Sequence, residues 1–305
     1  MNDAVARQEA SPTATLPSPS PRLAALWKRG TDFLGCPLAI ISGAMTWVSE
    51  RRLVAAISNA GGFGVLACGA MTPALLDAEI KATQALTAKP FGVNLITMHP
   101  QLLELVEVCG ANKVGFVVFA GGIPPTDAIK KAKTFAKVLC FAPAVVLAKR
   151  LIKNGADAIV IEGAEAGGHI GPVSTSVLAQ EILPVIRDVP VFVAGGIGRG
   201  EAIVSYLEMG AAGVQMGTRF VCATESIAHP KFKQAFIRAS ARDAMPSVQL
   251  DKRFPVIPVR ALQNDGTEEF METQRRVVEK FTRGELDQTA AQLEIEHFWA
   301  GALRG

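Results

Sequence analysis

The chain has 305 residues, of which 49% are hydrophobic and 19% are charged. This composition excludes a mainly disordered protein, and no apolar run approaches the ~18–20 residues of a membrane-spanning helix. Because 31 basic residues stand against 28 acidic ones, for a net charge of +3, we expect neither a nucleic acid nor a membrane as a partner.

Residues 1–22 differ in composition from the rest of the chain. Nine of the eleven residues 11–21 are Pro, Ser or Thr, and the segment lacks the apolar stretch of a secretory signal. It is therefore predicted to be a disordered tail. A short lead-in helix is predicted over Leu23–Phe33.

From Pro37 onward, short apolar runs alternate with stretches of helical periodicity. The eight runs are Leu38–Ser42, Phe63–Ala67, Phe91–Leu95, Val114–Phe119, Val138–Phe141, Ala158–Ile161, Val191–Ala194 and Gly213–Met216. The helix candidates between them are Glu50–Ala60, Pro73–Leu86, Gln101–Cys109, Pro125–Phe135, Ala144–Asn154, Ser176–Arg187 and Gly200–Met209. Such alternation is typical of parallel βαβ units, and runs that are apolar throughout indicate strands covered on both faces. Eight units favour a closed α/β architecture, the (β/α)8 or TIM barrel, over residues 23–221.

Residues 222–305 break this alternation. Helices are predicted over Lys231–Ala241, Thr267–Arg283 and Asp287–Leu303, whereas Val248–Gln263, which contains two prolines, is predicted to be irregular. We therefore expect a helical C-terminal extension that packs on the barrel.

In a barrel of this kind the functional site lies at the C-terminal ends of the strands. Glycine-rich turns follow the seventh and eighth runs, at Gly195-Gly196 and at Gly217-Thr218. Backbone N–H groups in such turns, together with a helix N-terminus, form the usual phosphate site of a barrel. Tight turning alone would explain either pair, but both pairs at adjacent strand ends favour phosphate binding.

Other strand ends offer groups that suit a flat ring. Ala44 and Met45 follow the first run and supply apolar contact and backbone donors, while Asn94 at the end of the third run offers both a donor and an acceptor. Glu162, after the sixth run, can accept hydrogen bonds from a ribityl chain. A phosphate at one end and a ring at the other suggest bound FMN, although composition alone leaves a sugar phosphate open.

One histidine stands at these strand ends. His169 is flanked by Gly167-Gly168 and by Gly171, on a long loop after the sixth run. An imidazole, whose ordinary pKa is near ~6.5, suits a general base or acid, and a structural role is the alternative. No other histidine or carboxylate stands at metal-ligand spacing, so no metal site is predicted.

The five cysteines, at positions 36, 68, 109, 140 and 222, form no C-x-x-C pair. Their odd number, and the place of four of them in or beside apolar runs, predict reduced core thiols rather than disulfides or a zinc site. A cytoplasmic location is therefore expected.

Six motifs in this order resemble the nitronate monooxygenase (2-nitropropane dioxygenase) family and its relative, the flavin-dependent FabK-type enoyl-ACP reductase. They are Ser-Gly-Ala-Met-Thr-Trp at 42–47, Asn-Ala-Gly-Gly-Phe-Gly at 59–64, Lys-Pro-Phe-Gly-Val-Asn at 89–94, Glu-Ala-Gly-Gly-His-Ile-Gly at 165–171, Ala-Gly-Gly-Ile at 194–197 and Met-Gly-Thr-Arg-Phe at 216–220. The resemblance implies a TIM barrel with non-covalent FMN. By position, it implies flavin contacts from Gly43, Ala44, Met45, Asn94, Glu162, Gly167, Gly168, Gly195, Gly196, Gln215, Gly217 and Thr218. It also implies that His169 is the base that takes the proton α to a nitro group.

The resemblance leaves three functions open. The first is FMN-dependent oxidation of alkyl nitronates with O2. The second is reduction of an enoyl thioester by NAD(P)H, with acyl carrier protein as a partner that the basic segment 228–233 could meet. The third is non-catalytic FMN binding. The assembly is also open, a homodimer included.

Overall fold

The computed structural model describes residues 18–302. Eight parallel strands in it form a barrel, which confirms the predicted fold. They are β1 (Ile40–Ser42), β2 (Gly64–Ala67), β3 (Phe91–Ile96), β4 (Phe116–Ala120), β5 (Lys137–Phe141), β6 (Ala158–Glu162), β8 (Val191–Ala194) and β9 (Gly213–Met216). Neighbours pair in the order β1-β9-β8-β6-β5-β4-β3-β2. The N–H of Ser42 donates to the Phe63 carbonyl (2.8 Å) and the Phe63 N–H to the Ile40 carbonyl (2.9 Å), so β1 and β2 close the ring.

Helices cover the outside of the barrel. They are α2 (Arg51–Asn59), α3 (Pro73–Leu86), α4 (Leu102–Ala111), α5 (Thr126–Ala132), α6 (Val145–Lys153), α7 (Thr175–Ile182), α8 (Gly200–Glu208) and the short α9 (Thr218–Val221). Three of them pass into the next strand through a left-handed glycine, with φ of 92° at Gly61, 115° at Gly155 and 104° at Gly210. Glycine adopts this conformation without the penalty that a Cβ would bring.

The first helix, α1 (Pro21–Leu34), closes the N-terminal end of the barrel. Phe33 from its last turn packs against Phe116, with ring centroids 5.9 Å apart, and Phe116 packs in turn on Phe63 at 4.8 Å. The Lys137 Nζ donates to the Phe33 carbonyl (2.5 Å) and lies 4.8 Å from the Phe33 ring centroid. Aromatic side chains therefore fill this end of the barrel, and the opposite end, where the strands finish, is its mouth.

The N-terminal boundary differs slightly from the prediction. The helix α1 begins at Pro21 rather than at Leu23, because the Ser20 side chain accepts from the Leu23 N–H and Pro21 occupies the first turn. Residues 1–17 of the predicted tail lie outside the described residues. Between residues 18 and 302, no helix is long and apolar enough to cross a membrane.

Beyond the barrel the chain forms helices and a small second sheet. The helices are α10 (Pro230–Arg238), α11 (Asp265–Thr282) and α12 (Gln288–Ala302), and a 3-10 turn spans Ala241–Asp243. The strands β10 (Ala244–Pro246), β11 (Val259–Leu262) and β7 (Gly168–His169) pair antiparallel in the order β10-β11-β7.

The prediction that Val248–Gln263 is irregular is therefore wrong over Val259–Leu262. Both prolines, Pro255 and Pro258, precede β11, where a missing N–H breaks no ladder bond. The Pro258 carbonyl still accepts, from the Ile170 N–H at 2.9 Å. The prolines thus mark the approach to a strand that pairs with β7.

The contact between α1 and the barrel generates a stability prediction. A Cβ on Gly30 would lie 2.0 Å from the Ala212 carbonyl oxygen, which is backbone and cannot move away cheaply. Alanine gains about 1 kcal/mol of helix propensity over glycine, but overpacking of this kind costs about 1–3 kcal/mol or more. We therefore expect Gly30→Ala to lower the free energy of unfolding, measured by urea denaturation.

The matched control is Gly115→Ala, since a Cβ there would meet nothing within 4 Å. It should be neutral within about 0.5 kcal/mol. Equal stability of the Gly30→Ala and Gly115→Ala proteins would contradict the docking of α1 on the barrel.

Candidate active site

Three polar side chains point into the barrel at its C-terminal mouth. Side chains alternate along a strand, so Glu162 shares the inner face of β6 with Ala158 and Val160, which are buried in the barrel interior. A Cβ on Gly92 or Gly213 would contact interior phenylalanines, so these glycines are inward positions too. Asn94 and Gln215 follow them by two residues and therefore also face inward.

Within the described part of the chain these polar groups lack hydrogen-bond partners. The Asn94 side chain is only 5% exposed, yet its amide bonds to no described residue, and the same holds for the Gln215 amide. Burial raises the pKa of Glu162 to about 7. An unpaired buried polar group costs about 1–3 kcal/mol, and native proteins leave few of them. Asn94 is buried and Glu162 and Gln215 are half-buried, and three unpaired polar groups at one mouth indicate a place for a polar ligand.

Strand register places two of the three groups side by side and the third on the opposite side of the barrel. Glu162 pairs with Ala194 and Ala194 pairs with Gln215, so the carboxyl and the amide lie in one row across β6, β8 and β9. Asn94 lies on β3, four strands from β8 in either direction around the ring. A ligand in the mouth would therefore meet polar groups from opposite sides.

The turn after β1 is joined to the end of β9. The Gly43 N–H donates to the Met216 carbonyl (2.8 Å), and the Met45 Sδ lies 3.7 Å from the position of a Cβ on Gly217. Ala44 is partly buried against the barrel interior. Ser49 braces the turn, since its hydroxyl donates to the Gly43 carbonyl (3.1 Å) and accepts from the Met45 N–H (3.0 Å). The structure thus brings together Gly43, Met45 and Gly217.

Packing requires glycine at both positions of the Gly195-Gly196 turn after β8, apart from the ligand binding predicted for them. Both glycines are left-handed, with φ of 101° and 71°. A Cβ on Gly195 would lie 2.9 Å from the Thr175 Oγ1, and one on Gly196 would lie 2.9 Å from the Glu165 Cβ. The loop after β6 packs directly on this turn, so neither position accommodates a larger residue.

Unpaired backbone donors mark the turns after β8 and β9. The N–H groups of Gly196, Gly198 and Thr218 donate to no described residue. The Arg219 Nε donates to the Gly198 carbonyl (3.0 Å) and so links the two turns. The helix α8 begins at Gly200 without a side-chain cap. Free N–H groups next to a helix N-terminus suit an anion such as phosphate.

His169 lies in the short strand β7, within the long loop after β6 on which the sequence placed it. It is exposed and stands opposite Val259 of β11, while Gly168 stands opposite Arg260. The pairing was hidden because only two residues of β7 take part and their partners lie about ninety positions later in the chain. The second sheet therefore carries His169 at the edge of the mouth.

Sequence reasoning missed two side chains that shape this region, Arg260 and Trp47, and left the role of Glu165 open. Glu165 accepts from the Thr175 N–H (2.7 Å) and hydroxyl (3.0 Å), so it fixes the start of α7 rather than standing free in solvent. The Arg260 Nε donates to the Ala164 carbonyl (2.9 Å). Trp47 has a left-handed φ of 65° and is 60% exposed in the turn after β1. No sequence pattern singles out a tryptophan for that conformation.

Two of the other histidines make structural contacts at helix starts. The His99 Nδ1 accepts from the Gln101 N–H (3.1 Å), and the His229 Nδ1 accepts from the Lys231 N–H (3.2 Å) at the start of α10. All five cysteines are free thiols, four of them buried. Among residues 18–302, no group of three His, Cys, Asp or Glu side chains could hold a metal ion.

Comparison with known proteins places this chain in a family. The family model described as nitronate monooxygenase matches residues 28–109 and 101–295. The chain belongs to the nitronate monooxygenase family. It is therefore a member of a family of oxidoreductases, as its motifs predicted.

Its relatives include enzymes of different chemistry. The chain is 35% identical to a (3aS,4S,5R,7aS)-5-hydroxy-7a-methyl-1-oxo-octahydro-1H-indene-4-carboxyl-CoA dehydrogenase of Rhodococcus jostii, over 77% of this chain and 65% of that protein. It thus spans just under two thirds of that relative's length. It is 35% identical to the structure of FabK from Thermotoga maritima (TM-score 0.76; 87% and 86% covered). It is 29% identical to nitroalkane oxidase from Streptomyces ansochromogenes (TM-score 0.67; 77% and 79% covered).

The raised pKa of Glu162 generates a prediction of pH-dependent stability. Its pKa is about 7 in the folded chain against an ordinary 4.5. Folding therefore disfavours the ionised carboxylate. Glu162 consequently destabilises the folded chain, and this destabilisation grows as pH rises from 4.5 to 7 and then levels off. We expect Glu162→Gln to match the wild type near pH 4.5 and to exceed it above pH 7, by at most about 3 kcal/mol.

The measurement is urea unfolding of both proteins, in the same ligand state, between pH 4.5 and 8. Glu165→Gln serves as a control, because Glu165 is exposed and hydrogen-bonded. A Glu162→Gln difference that does not change with pH would show that the carboxyl is not buried as described.

Proposed function

We propose that the protein is an FMN-dependent oxidoreductase that oxidises alkyl nitronates with O2. The observation that carries the proposal is the set of unpaired inward groups, Asn94, Glu162 and Gln215, beside turns whose N–H groups are free. Membership of the nitronate monooxygenase family supports it, as does the likeness to a nitroalkane oxidase.

The residues present fit FMN. The free N–H groups of Gly196, Gly198 and Thr218 would hold its phosphate, and the Thr218 hydroxyl, which is exposed, would add a donor. Glu162 would accept hydrogen bonds from the ribityl hydroxyls, and Asn94 and Gln215 would bond the polar edge of the ring. When bound, FMN supplies the redox chemistry that no amino-acid side chain offers.

Apolar and backbone groups from the turn after β1 would complete the site. Ala44 and Met45 would lie against the ring, and the Met45 Sδ lies 3.7 Å from the position of a Cβ on Gly217. Gly167 and Gly168 have open space where a Cβ would stand, so the chain there leaves room at the mouth. Together with the glycines at 195 and 196, these positions make up the predicted contact set.

His169 would act on the substrate. As a base, its imidazole would take the proton from the carbon α to a nitro group and leave an anionic nitronate ready for oxidation. Its exposed place at the edge of the mouth leaves the ring within reach of a small substrate. A substrate that arrives already as a nitronate would not need this step.

The proposed setting is cytoplasmic, with a small molecule and O2 as the partners. Buried free thiols at Cys68, Cys109 and Cys140 support a reducing compartment. Burial raises the pKa of Cys68 to about 12, so this thiol stays protonated and inert. A homodimer stays a prediction.

A second candidate is NAD(P)H-dependent reduction of an enoyl thioester. The identity of 35% to FabK exceeds the 29% to nitroalkane oxidase, and a relative named as a carboxyl-CoA dehydrogenase also points to a thioester. This reading would add NAD(P)H and an acyl carrier as partners. The basic segment at the start of α10 adds little support for an acyl-carrier partner, because its Lys233 already donates to the Ala223 carbonyl (2.7 Å).

Anaerobic mixing separates the two candidates. Protein loaded with FMN should be yellow, and propyl nitronate should bleach its flavin absorbance rapidly, whereas NADH should bleach it slowly. Rapid bleaching by NADH and none by nitronate would replace the first candidate with the second. Failure to bind FMN at all would contradict both.

The role of His169 predicts a substrate-dependent loss of activity. Removing a general base costs about 10²–10⁴-fold in rate, but only for a substrate that must be deprotonated. We therefore expect His169→Ala to slow turnover of a neutral nitroalkane at least ~100-fold, and that of the preformed nitronate by less than ~5-fold. His297→Ala, at an exposed position of α12, is the matched control. Equal losses on both substrates would contradict the base role.

A further inference from the structure

We infer that Arg260 is a positioning residue for His169, and that the C-terminal extension thereby sets the orientation of the base. The inference rests on the proposed function, in which His169 acts on the substrate. It goes beyond it by assigning a role to a residue of β11, outside the barrel, in a segment that the sequence analysis predicted to be irregular.

The first observation is the place of the Arg260 guanidinium. Its Nε donates to the Ala164 carbonyl (2.9 Å), and a second nitrogen, Nη1, donates to the Ala244 carbonyl of β10. One planar side chain thus joins the loop after β6 to the second sheet. Hydrogen bonds from a charged donor are about twice as strong as neutral ones. A lysine ammonium cannot reproduce the planar geometry in which two nitrogens of one group donate to two carbonyls.

The second observation is that the backbone around His169 is held from the same strand. Arg260 pairs with Gly168, and Val259 pairs with His169. The Ile170 N–H donates to the Pro258 carbonyl (2.9 Å). Three consecutive residues of the extension therefore hold three consecutive residues around the base.

The third observation is that this loop has little side-chain packing of its own. A Cβ on Gly167, Gly168 or Gly171 would meet nothing within 4 Å. Glycine loses more conformational freedom on ordering than any other residue. The anchors of this loop include the β11 ladder and the Arg260 side chain on one side and Glu165 with Thr175 on the other.

The extension is rigid enough to serve as the anchor. Phe254, Phe270 and Val277 form a separate apolar core with two residues of α12. The buried Gln274 amide accepts from the Leu250 N–H (3.1 Å) and donates to the Val248 carbonyl (2.9 Å), which ties the segment before β11 to α11. The segment before β11 is therefore held by contacts within the extension itself.

The test compares Arg260→Ala, Arg260→Lys and the control Arg242→Ala. Arg242 is exposed and is the middle residue of the 3-10 turn. Its side chain bonds to no described residue. The first readout is amide hydrogen exchange of residues 164–170 in the FMN-loaded protein. We expect at least ~10-fold faster exchange there in Arg260→Ala, a smaller increase in Arg260→Lys and none in Arg242→Ala.

The second readout is kinetic. Arg260→Ala should lower kcat for a neutral nitroalkane at least ~10-fold while turnover of preformed nitronate and both KM values change less than ~3-fold. Added guanidinium at millimolar concentration should restore part of the lost kcat in Arg260→Ala and none in His169→Ala. A purely structural role would instead lower turnover of the nitroalkane and of the preformed nitronate equally.

The outcomes separate the two proposals. If the wild-type protein does not turn over nitroalkanes, the proposed function fails and the exchange readout alone decides whether Arg260 holds the loop. Unchanged exchange at residues 164–170 would overturn the inference. Faster exchange with equal losses on nitroalkane and nitronate would also overturn it, because the base would then not be the group affected. Should Arg260→Ala not fold, Arg260→Lys carries the same comparison.

Discussion

The alternation of side chains along parallel strands is the constraint on which the site depends. In a closed barrel every second residue faces the interior, which here is filled with phenylalanine and aliphatic side chains. Asn94, Glu162 and Gln215 occupy inward positions where an apolar residue would pack without penalty. Their polarity costs stability in the free chain, and burial moves the pKa of Glu162 to about 7. A ligand that bonds them would remove that penalty, and this couples the fold to binding.

The barrel and the extension contribute different parts of the chemistry. Strand ends and turns of the barrel supply a fixed set of hydrogen-bonding groups and free backbone donors, which suit a cofactor. The side chain that would act on the substrate lies instead in β7, a strand whose partner β11 belongs to the extension. This division would let substrate preference vary within the family through the extension while the cofactor site stays constant, because loops and added segments tolerate change that a barrel strand does not.

Local patterns predicted the barrel well because its signals are local. Apolar runs predicted all eight strands, and Gly61, Gly155 and Gly210 follow helices in the left-handed conformation. The structure brings Gly43, Met45 and Gly217 together at the mouth, and their contact with a flavin stays a prediction. The second sheet could not be predicted, because β7 has two residues and its partner lies far away in the sequence. The contacts of Arg260 and the conformation of Trp47 likewise depend on tertiary structure alone.

Binding of FMN compared with that of riboflavin tests the central claim most directly. The two ligands share the ring and the ribityl chain, so their difference isolates the turns at Gly196, Gly198 and Thr218. Titration followed by quenching of flavin fluorescence should give a Kd for FMN at least about 100-fold lower than that for riboflavin, which corresponds to roughly 2.7 kcal/mol. Equal affinities, or no saturable binding of either ligand, would contradict a flavin site built from these turns.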